Sequence, residues 1–410
     1  MKSVGIVVEY NPFHNGHAYH VSEAKKASEA EVVVAVMSGY FLQRGEPALA
    51  SKWARTKMAL AGGVDIVIEL PYVFATQKAE IFASGAISIL DDLNVDSICF
   101  GSEEGKIESF LELLDFYREH EDELNHLIKQ EVKKGVSYPK AASNAFQYIK
   151  KDDLLDLSLP NNILGFHYVK ALQDRRSGIK PLTIARTKAG YHDPMPNDKT
   201  IASATSIRNQ WMETKNLQTV QSFVPDTTYR ILNEEYKTNG KLIQWEELFH
   251  LLKYKLLTTP PDELAAIYEI EEGIEFRLAD KIKQAQSFQQ FIELVKTKRF
   301  TWTRLQRMCT HILTNAKKTE LQRAHESKTA SYIRLLGMTE KGKEFLNRRK
   351  KSLNLPLISN YSREHQQLLK HDEAAAHAYA MAFPSPIREQ FIQMEYTQYP
   401  IQLFGSSFSK

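Results

Sequence analysis

The feature that most constrains this chain is a rhythm in its first half. Short apolar runs rich in β-branched residues alternate with segments of helical spacing. Val4–Val8, 31–37, 65–70, Ser97–Gly101 and 181–185 are such runs, and none alternates polar with apolar residues. A strand without alternation is buried on both faces, which requires helices on both sides and therefore parallel strands joined by right-handed crossovers. The stretch 105–150 interrupts the rhythm with charged, helix-periodic sequence (Glu108 to Lys134, Tyr138 to Lys151) and reads as an insertion. Beyond Pro225 the rhythm stops and helical patterns follow. A chain of 410 residues exceeds one ordinary core. The expected organisation is an α/β domain over 1–225, with the insertion at about 105–150, and a mainly helical domain over 226–410.

Ligands of open α/β sheets bind beyond the carboxyl ends of the strands, so each strand end is a candidate site. The first leads through Glu9-Tyr-Asn-Pro12 into Phe13-His14-Asn-Gly16-His17, and helical spacing begins at Gly16. The two histidines fall at a helix start, where free N–H groups and the helix dipole favour an anion. Gly16 removes a Cβ that would hold a ligand off the backbone. A His-x-Gly-His turn after a first strand resembles the signature of the nucleotidyltransferase and class I aminoacyl-tRNA synthetase superfamily, and the resemblance implies histidine contacts to ATP phosphates. A second match is Ser203-Ala-Thr-Ser206-Ile-Arg208 after the last strand. It is similar to the superfamily's hydroxyl-rich helix start, whose arginine offsets phosphate charge. Ala204 replaces one of the hydroxyl residues there.

Other strand ends offer Arg44 and Gly45 in the 38–47 loop, which suit an anion or an ordinary surface loop. Gly101 permits close approach of a base or ribose, or simply ends a strand. One of Asn161 and Asn162 is expected to cap a helix, and the other, with Arg186, can face the same cleft.

The second half carries charge asymmetry. Residues 281–370 hold 20 Lys and Arg against 6 Asp and Glu, and 221–280 hold 6 against 12. Such segregation suits a polyanion partner or a solvated helix surface. Lys298, Arg299, Arg304 and Arg307 surround Phe300 and Trp302, and Arg348, Arg349, Lys350 and Lys351 form a run. Cations among aromatics suit RNA phosphates and stacked bases, although the aromatics equally suit a core.

Over its whole length the chain resembles the bacterial tRNA(Met) cytidine acetate ligase family. The matching pieces are Gly5 to His17, Met37 to Pro47, Asp65 to Pro71, Pro160 to Gly165 and Tyr332 to Gly337. The resemblance implies a Rossmann-like nucleotidyltransferase sheet and an enzyme that activates acetate with ATP and acetylates N4 of the wobble cytidine of elongator methionine tRNA. It implies catalytic roles for His14, His17 and Arg208. It also implies an ATP site formed by Val7, Val8, Glu9, Tyr10, Asn11, Pro12, Phe13, Gly16, His20, Gly101, Asn162, Arg186 and Ser206, with a tRNA surface at the eight basic residues named above.

The chemistry agrees. A carboxylate attacking the α-phosphate needs charge neutralisation and in-line positioning rather than a general base, which accounts for the lack of a Ser or Cys nucleophile motif. Mg²⁺ is expected on the triphosphate, without protein ligands. Two readings compete, a small-molecule adenylyltransferase and a non-catalytic tRNA-binding protein. Cys99 and Cys309, far apart in sequence, argue against a disulfide framework or zinc site. No apolar run approaches about 18 residues, so the expectation is a cytoplasmic protein. Oligomeric state stays open.

Overall fold

The computed structural model describes residues 1–136, 138–149, 155–186, 201–405 and 407–409. Their strands are β1 (Ser3–Val8), β2 (Val32–Ser38), β3 (Ile66–Leu70), β4 (Ser97–Ser102), β5 (Lys180–Ala185), β6 (Ile333–Thr339), β7 (Leu357–Ile358), β8 (Ile401–Phe404) and β9 (Ser407–Ser409). They form one sheet in the order β5-β4-β1-β2-β3-β6-β8-β9, with β7 paired to β6. The first five strands are mutually parallel, and β6 is antiparallel to β3. Connections leave β1 in opposite directions towards β2 and β4, so the switch point lies between β1 and β4, where the histidine turn emerges.

The sheet continues past the boundary expected at 225. Ile333–Gly337, apolar but for Arg334, lies among the basic helices of 281–370, and it extends the sheet beside β3. Leu335 faces one layer of the core and Leu336 the other, as a doubly covered strand requires. The helical periods on either side hide this strand in the sequence, because its neighbours in sequence are not its neighbours in space.

Val4, Ile6 and Val8 pack with the helices Asn15–Ser28, Lys52–Ala61, Ala204–Thr214 and Asp226–Asn239. Val34, Val36 and Ile68 face the helices Ala79–Asp92 and Pro160–Asp174. The insertion forms three helices, Ile107–Glu119, Glu121–Lys133 and Tyr138–Ile149, which join that second layer through Phe110, Leu113 and Phe146. The remainder of the expected Tyr138–Lys151 helix lies outside the described residues.

A third core belongs to the helices from Trp245 onward and takes in Tyr40, Phe41 and Tyr72 from beyond β2 and β3. The helical half therefore sits on the carboxyl ends of those strands. Gly45 is the contact point. Its carbonyl accepts from Trp245 Nε1 (3.0 Å) and Thr310 Oγ1 (2.8 Å), and a Cβ at its φ of 80° would lie 2.5 Å from Arg307 N. Gly45 thus serves interdomain packing, which the sequence did not distinguish from ligand binding.

Candidate active site

The turn after β1 is rigid for local reasons. Asn11 Oδ1 accepts from Leu49 N at 2.7 Å, and the Tyr10 and Phe13 rings meet edge to face in the core. Tyr10, Phe13 and Val8 are buried members of that core. Only their main chain is available to a nucleotide. His14 then caps the helix Asn15–Ser28.

The His14 and His17 rings stack with centroids 3.7 Å apart, and His14 N donates to His17 Nδ1 at 3.3 Å. A Cβ on Gly16 would approach His14 Cε1 to 2.9 Å. The glycine therefore makes room for the histidine ring; this replaces the sequence argument that it makes room for ligand. Burial, with Arg186 and Arg208 nearby, pushes His14 down to about 3. Burial, His14 and Arg186 hold His17 well below its ordinary value, and burial and Arg186 push His20 down to about 4. The ligand-free histidines are neutral near pH 7. A phosphate would oppose both causes by bringing negative charge.

The second phosphate motif converges on the first. Ser203 caps the helix Ala204–Thr214, its Oγ accepting from Ser206 N at 3.1 Å. Ile201 lies beside Gly16, 3.9 Å from a Cβ built there. Arg208 donates Nη1 to Asn11 O (2.9 Å) and Nη2 to Glu46 Oε2 (2.8 Å). Two helix starts and Arg208 thus surround one point. Glu46 was missed from sequence, although its position in Gln43-Arg-Gly-Glu-Pro47 marked the loop as polar.

Across the cleft, Arg186 Nη1 donates to Asn161 Oδ1 at 3.1 Å. A Cβ on Gly101 would stand 3.3 Å from Arg186 Cγ, so this glycine lets the arginine pass. The helix Pro160–Asp174 is capped by Leu159 rather than by an asparagine. Pro160 occupies its first position, as its missing N–H permits. The Glu103 carboxylate does the capping work, accepting from Asn161 N (3.3 Å), Asn161 Nδ2 (2.6 Å) and Asn162 N (2.8 Å). Asn162 Oδ1 returns the favour to the β4 loop through Glu103 N (3.1 Å) and Glu104 N (3.2 Å). Its role in the described structure is to fix that loop.

The basic residues fare differently from the sequence expectation. Arg307 makes a forked pair with Glu269, closest at 2.8 Å. Arg304 faces Glu271 at 3.6 Å and covers the Phe300 ring, and Arg299 pairs with Glu272 at 2.5 Å. The acidic stretch folds onto the basic one. Three of the expected RNA-facing cations, Arg299, Arg304 and Arg307, are thereby paired within the protein. Arg349 is also used internally, on Asn94 O and over the Phe345 ring, and Arg348 pairs with Glu344. The 348–351 run lies by the start of β4, at the sheet edge opposite His14, roughly 20 Å away for strands of six residues. Lys298 is exposed and stands against Gly135 in the insertion.

Comparison with known proteins agrees with this geometry. The model of the HIGH Nucleotidyl Transferase family matches residues 1–394, and the chain belongs to that family. Within it, the relatives are tRNA(Met) cytidine acetate ligases. One from Halalkalibacterium halodurans is 50% identical over 98% of both chains, and one from Bacillus subtilis strain 168 is 50% identical over 98% of this chain and 97% of that one. The chain is a member of the tRNA(Met) cytidine acetate ligase family. Among solved structures, Thermotoga maritima TmcAL without ligand aligns with TM-score 0.91 and 34% identity over 99% of this chain and 100% of that one. The form bound with alpha-thio ATP aligns with TM-score 0.90 and 35% identity over the same shares.

Proposed function

We propose that this chain activates acetate with ATP and transfers the acetyl group to N4 of the wobble cytidine of elongator methionine tRNA. The observation that carries the reading is the convergence of the His14/His17 helix start, the Ser203-capped helix start and Arg208 on the carboxyl end of β1, in a chain about half identical to acetate ligases along its length.

Acetate is already ionised, so the site's task is to hold the triphosphate and offset charge as carboxylate oxygen attacks the α-phosphorus. His14 and His17 stabilise that phosphate. Ser206 and Arg208 hold the departing pyrophosphate, for which Arg208 exchanges Glu46 for phosphate oxygen. Gly101, Asn162 and Arg186 border the nucleoside. The resulting acetyl-adenylate is the species that an amine as weak as cytosine N4 can attack. Glu46 and Glu103, two of the carboxylates at the cleft, are occupied by Arg208 and by a helix start. They offer Mg²⁺ no ready ligands, and no step is assigned to a metal here.

The tRNA substrate must present its anticodon to the carboxyl edge of the sheet. Lys298, with Arg299, is the part of the expected RNA surface proposed to meet it. No helix of the described residues is long and apolar enough to cross a membrane; a tRNA substrate supports a cytoplasmic setting for this activity. Mixing the protein with ATP and acetate and detecting acetyl-adenylate by mass tests the reading; adenylate formation that ignores acetate would sink it.

A further inference from the structure

Acetyl transfer needs a group to receive the amine and its proton, and the triphosphate clamp contains none suited to it. We propose that Glu9 is that group: its carboxylate holds the N4 amine of the acceptor cytidine and takes its proton as the acetyl group arrives. The inference rests on the acetate-ligase reading above.

Placement comes first. Glu9 directly follows β1 at the switch point, so it lies beside whatever the histidine turn binds. Val4, Ile6 and Val8 belong to the core layer of the histidine helix, whereas Val7 belongs to the opposite layer. By the same alternation Glu9 is directed away from the histidine helix, across the strand end. Tyr168, on the helix Pro160–Asp174 of that opposite layer, lies close enough for the Glu9 charge to act on it.

The carboxylate is held but not used up. Glu9 Oε1 accepts from Gln43 N at 2.8 Å, while Oε2 makes no hydrogen bond among the described residues. The residue's own carbonyl accepts from Arg55 Nη1 at 2.7 Å, and the same fully buried guanidinium binds Ser38 O at 3.0 Å. The ends of β1 and β2 are thereby locked together, which fixes where Glu9 points.

Its electrostatic surroundings favour proton acceptance. Burial, and Glu46 from the 38–47 loop, raise the carboxyl above its ordinary value. The Gln43 N–H, Arg44 of the same loop and Arg208 from the helix Ala204–Thr214 act the other way. A raised carboxyl is a better base than a free one at neutral pH. Acetate itself is a poor occupant for this position, because two carboxylates would repel. Cytosine N4, a hydrogen-bond donor, is complementary to a carboxylate, and the uracil O4 acceptor is not. The same group therefore serves selection of the base and the transfer step.

The step balances. The N4 lone pair attacks the acetyl carbon of the adenylate and the C–N bond forms. The bond from that carbon to the bridging oxygen breaks, AMP leaves with its electron pair, and the N4 proton passes to Glu9 Oε2.

The test uses the full chain, ATP, acetate and a methionine tRNA transcript. Glu9→Gln retains an oxygen for the Gln43 amide, so the turn keeps its support. Acetate-dependent ATP–pyrophosphate exchange, run in parallel, measures whatever Glu9 contributes to holding ATP. Acetyl transfer from preformed adenylate should fall by about 100-fold, and the acidic limb of its pH profile should disappear. Glu9→Asp should restore part of the rate together with that limb. Transfer within about tenfold of the parent, or transfer and exchange falling in parallel, overturns the proposal. Failure of the parent itself to exchange in response to acetate would instead refute the ligase reading.

Discussion

Two clusters of polar groups lie at the carboxyl edge of this sheet, one buried throughout and the other open to solvent at Arg186, and they are built on opposite plans. In one, Lys52 reaches Glu69 at 2.8 Å and Glu395 at 2.9 Å, and Arg334 of β6 contacts both carboxylates. Charges of alternating sign satisfy one another, and residues from three distant parts of the chain are stapled together. In the other, three neutral histidines, Arg186, Arg208 and two helix starts face Glu46 as the principal counter-charge. The first cluster is finished within the protein. The second is balanced for a polyanion that arrives from outside. Burial alone does not separate structural from functional polar groups; the state of their charge balance does.

The largest expected effect breaks the finished cluster. Lys52→Met leaves Glu69 and Glu395 buried with Arg334 as their remaining shared cation, and should cost about 3–5 kcal/mol in urea unfolding. A change below about 1 kcal/mol would mean that the cluster contributes no more than a surface pair. His17→Ala in the second cluster should do the reverse. Acetate-dependent exchange should drop by about 10²–10³, with the urea midpoint close to that of the parent; equal losses in both assays would erase the distinction drawn here.

Proton linkage sharpens the comparison at intermediate scale. His14 and His20 titrate near 3 and 4 in the folded chain, below the unfolded value of about 6.5. The unfolded chain binds protons first, so their stability contribution is complete above 6.5 and drains as pH falls towards 4. The slope is roughly 1.4 kcal/mol per pH unit for each histidine. Unfolding measured at pH 7, 6 and 5 should show it, and His14→Gln should flatten it by about one histidine's share. A profile indifferent to that substitution would place His14 outside the buried pocket.

The smallest effect concerns RNA. Replacing Lys298 and Arg299 with alanine should weaken tRNA binding and lower the slope of log affinity against log salt by about one to two. Replacing Arg348, Lys350 and Lys351 should leave that slope unchanged, since they stand at the far edge of the sheet. The opposite outcome would route the tRNA around the molecule.

Much of the site was legible beforehand because its chemistry is local. His14 and His17 share one helix start, Ser206 and Arg208 share another, and short-range spacing reports both. The partners were not legible. Glu46 is 162 residues from Arg208, and Glu103 is 58 from Asn161; no period in a single sequence links such positions. The 38–47 loop illustrates the limit well. Its glycine and arginine suggested an anion site, yet Gly45 turned out to seat Trp245 and Thr310.

By itself the sequence determined the five parallel strands, the helices between them and the two helix starts proposed to hold phosphate, because unbroken β-branched runs and N-terminal helix chemistry depend on adjacent residues. Only the tertiary structure decided that β6 extends the sheet beside β3, that Glu269, Glu271 and Glu272 pair with Arg307, Arg304 and Arg299, and that the 348–351 run faces away from the cleft. These outcomes depend on which surfaces meet after the chain has folded back on itself. The opening turn carries both lessons: its histidines were readable as a phosphate site from four residues, whereas their stacking, their neutrality and the carboxylate of Glu9 across the strand end follow from what was packed around them.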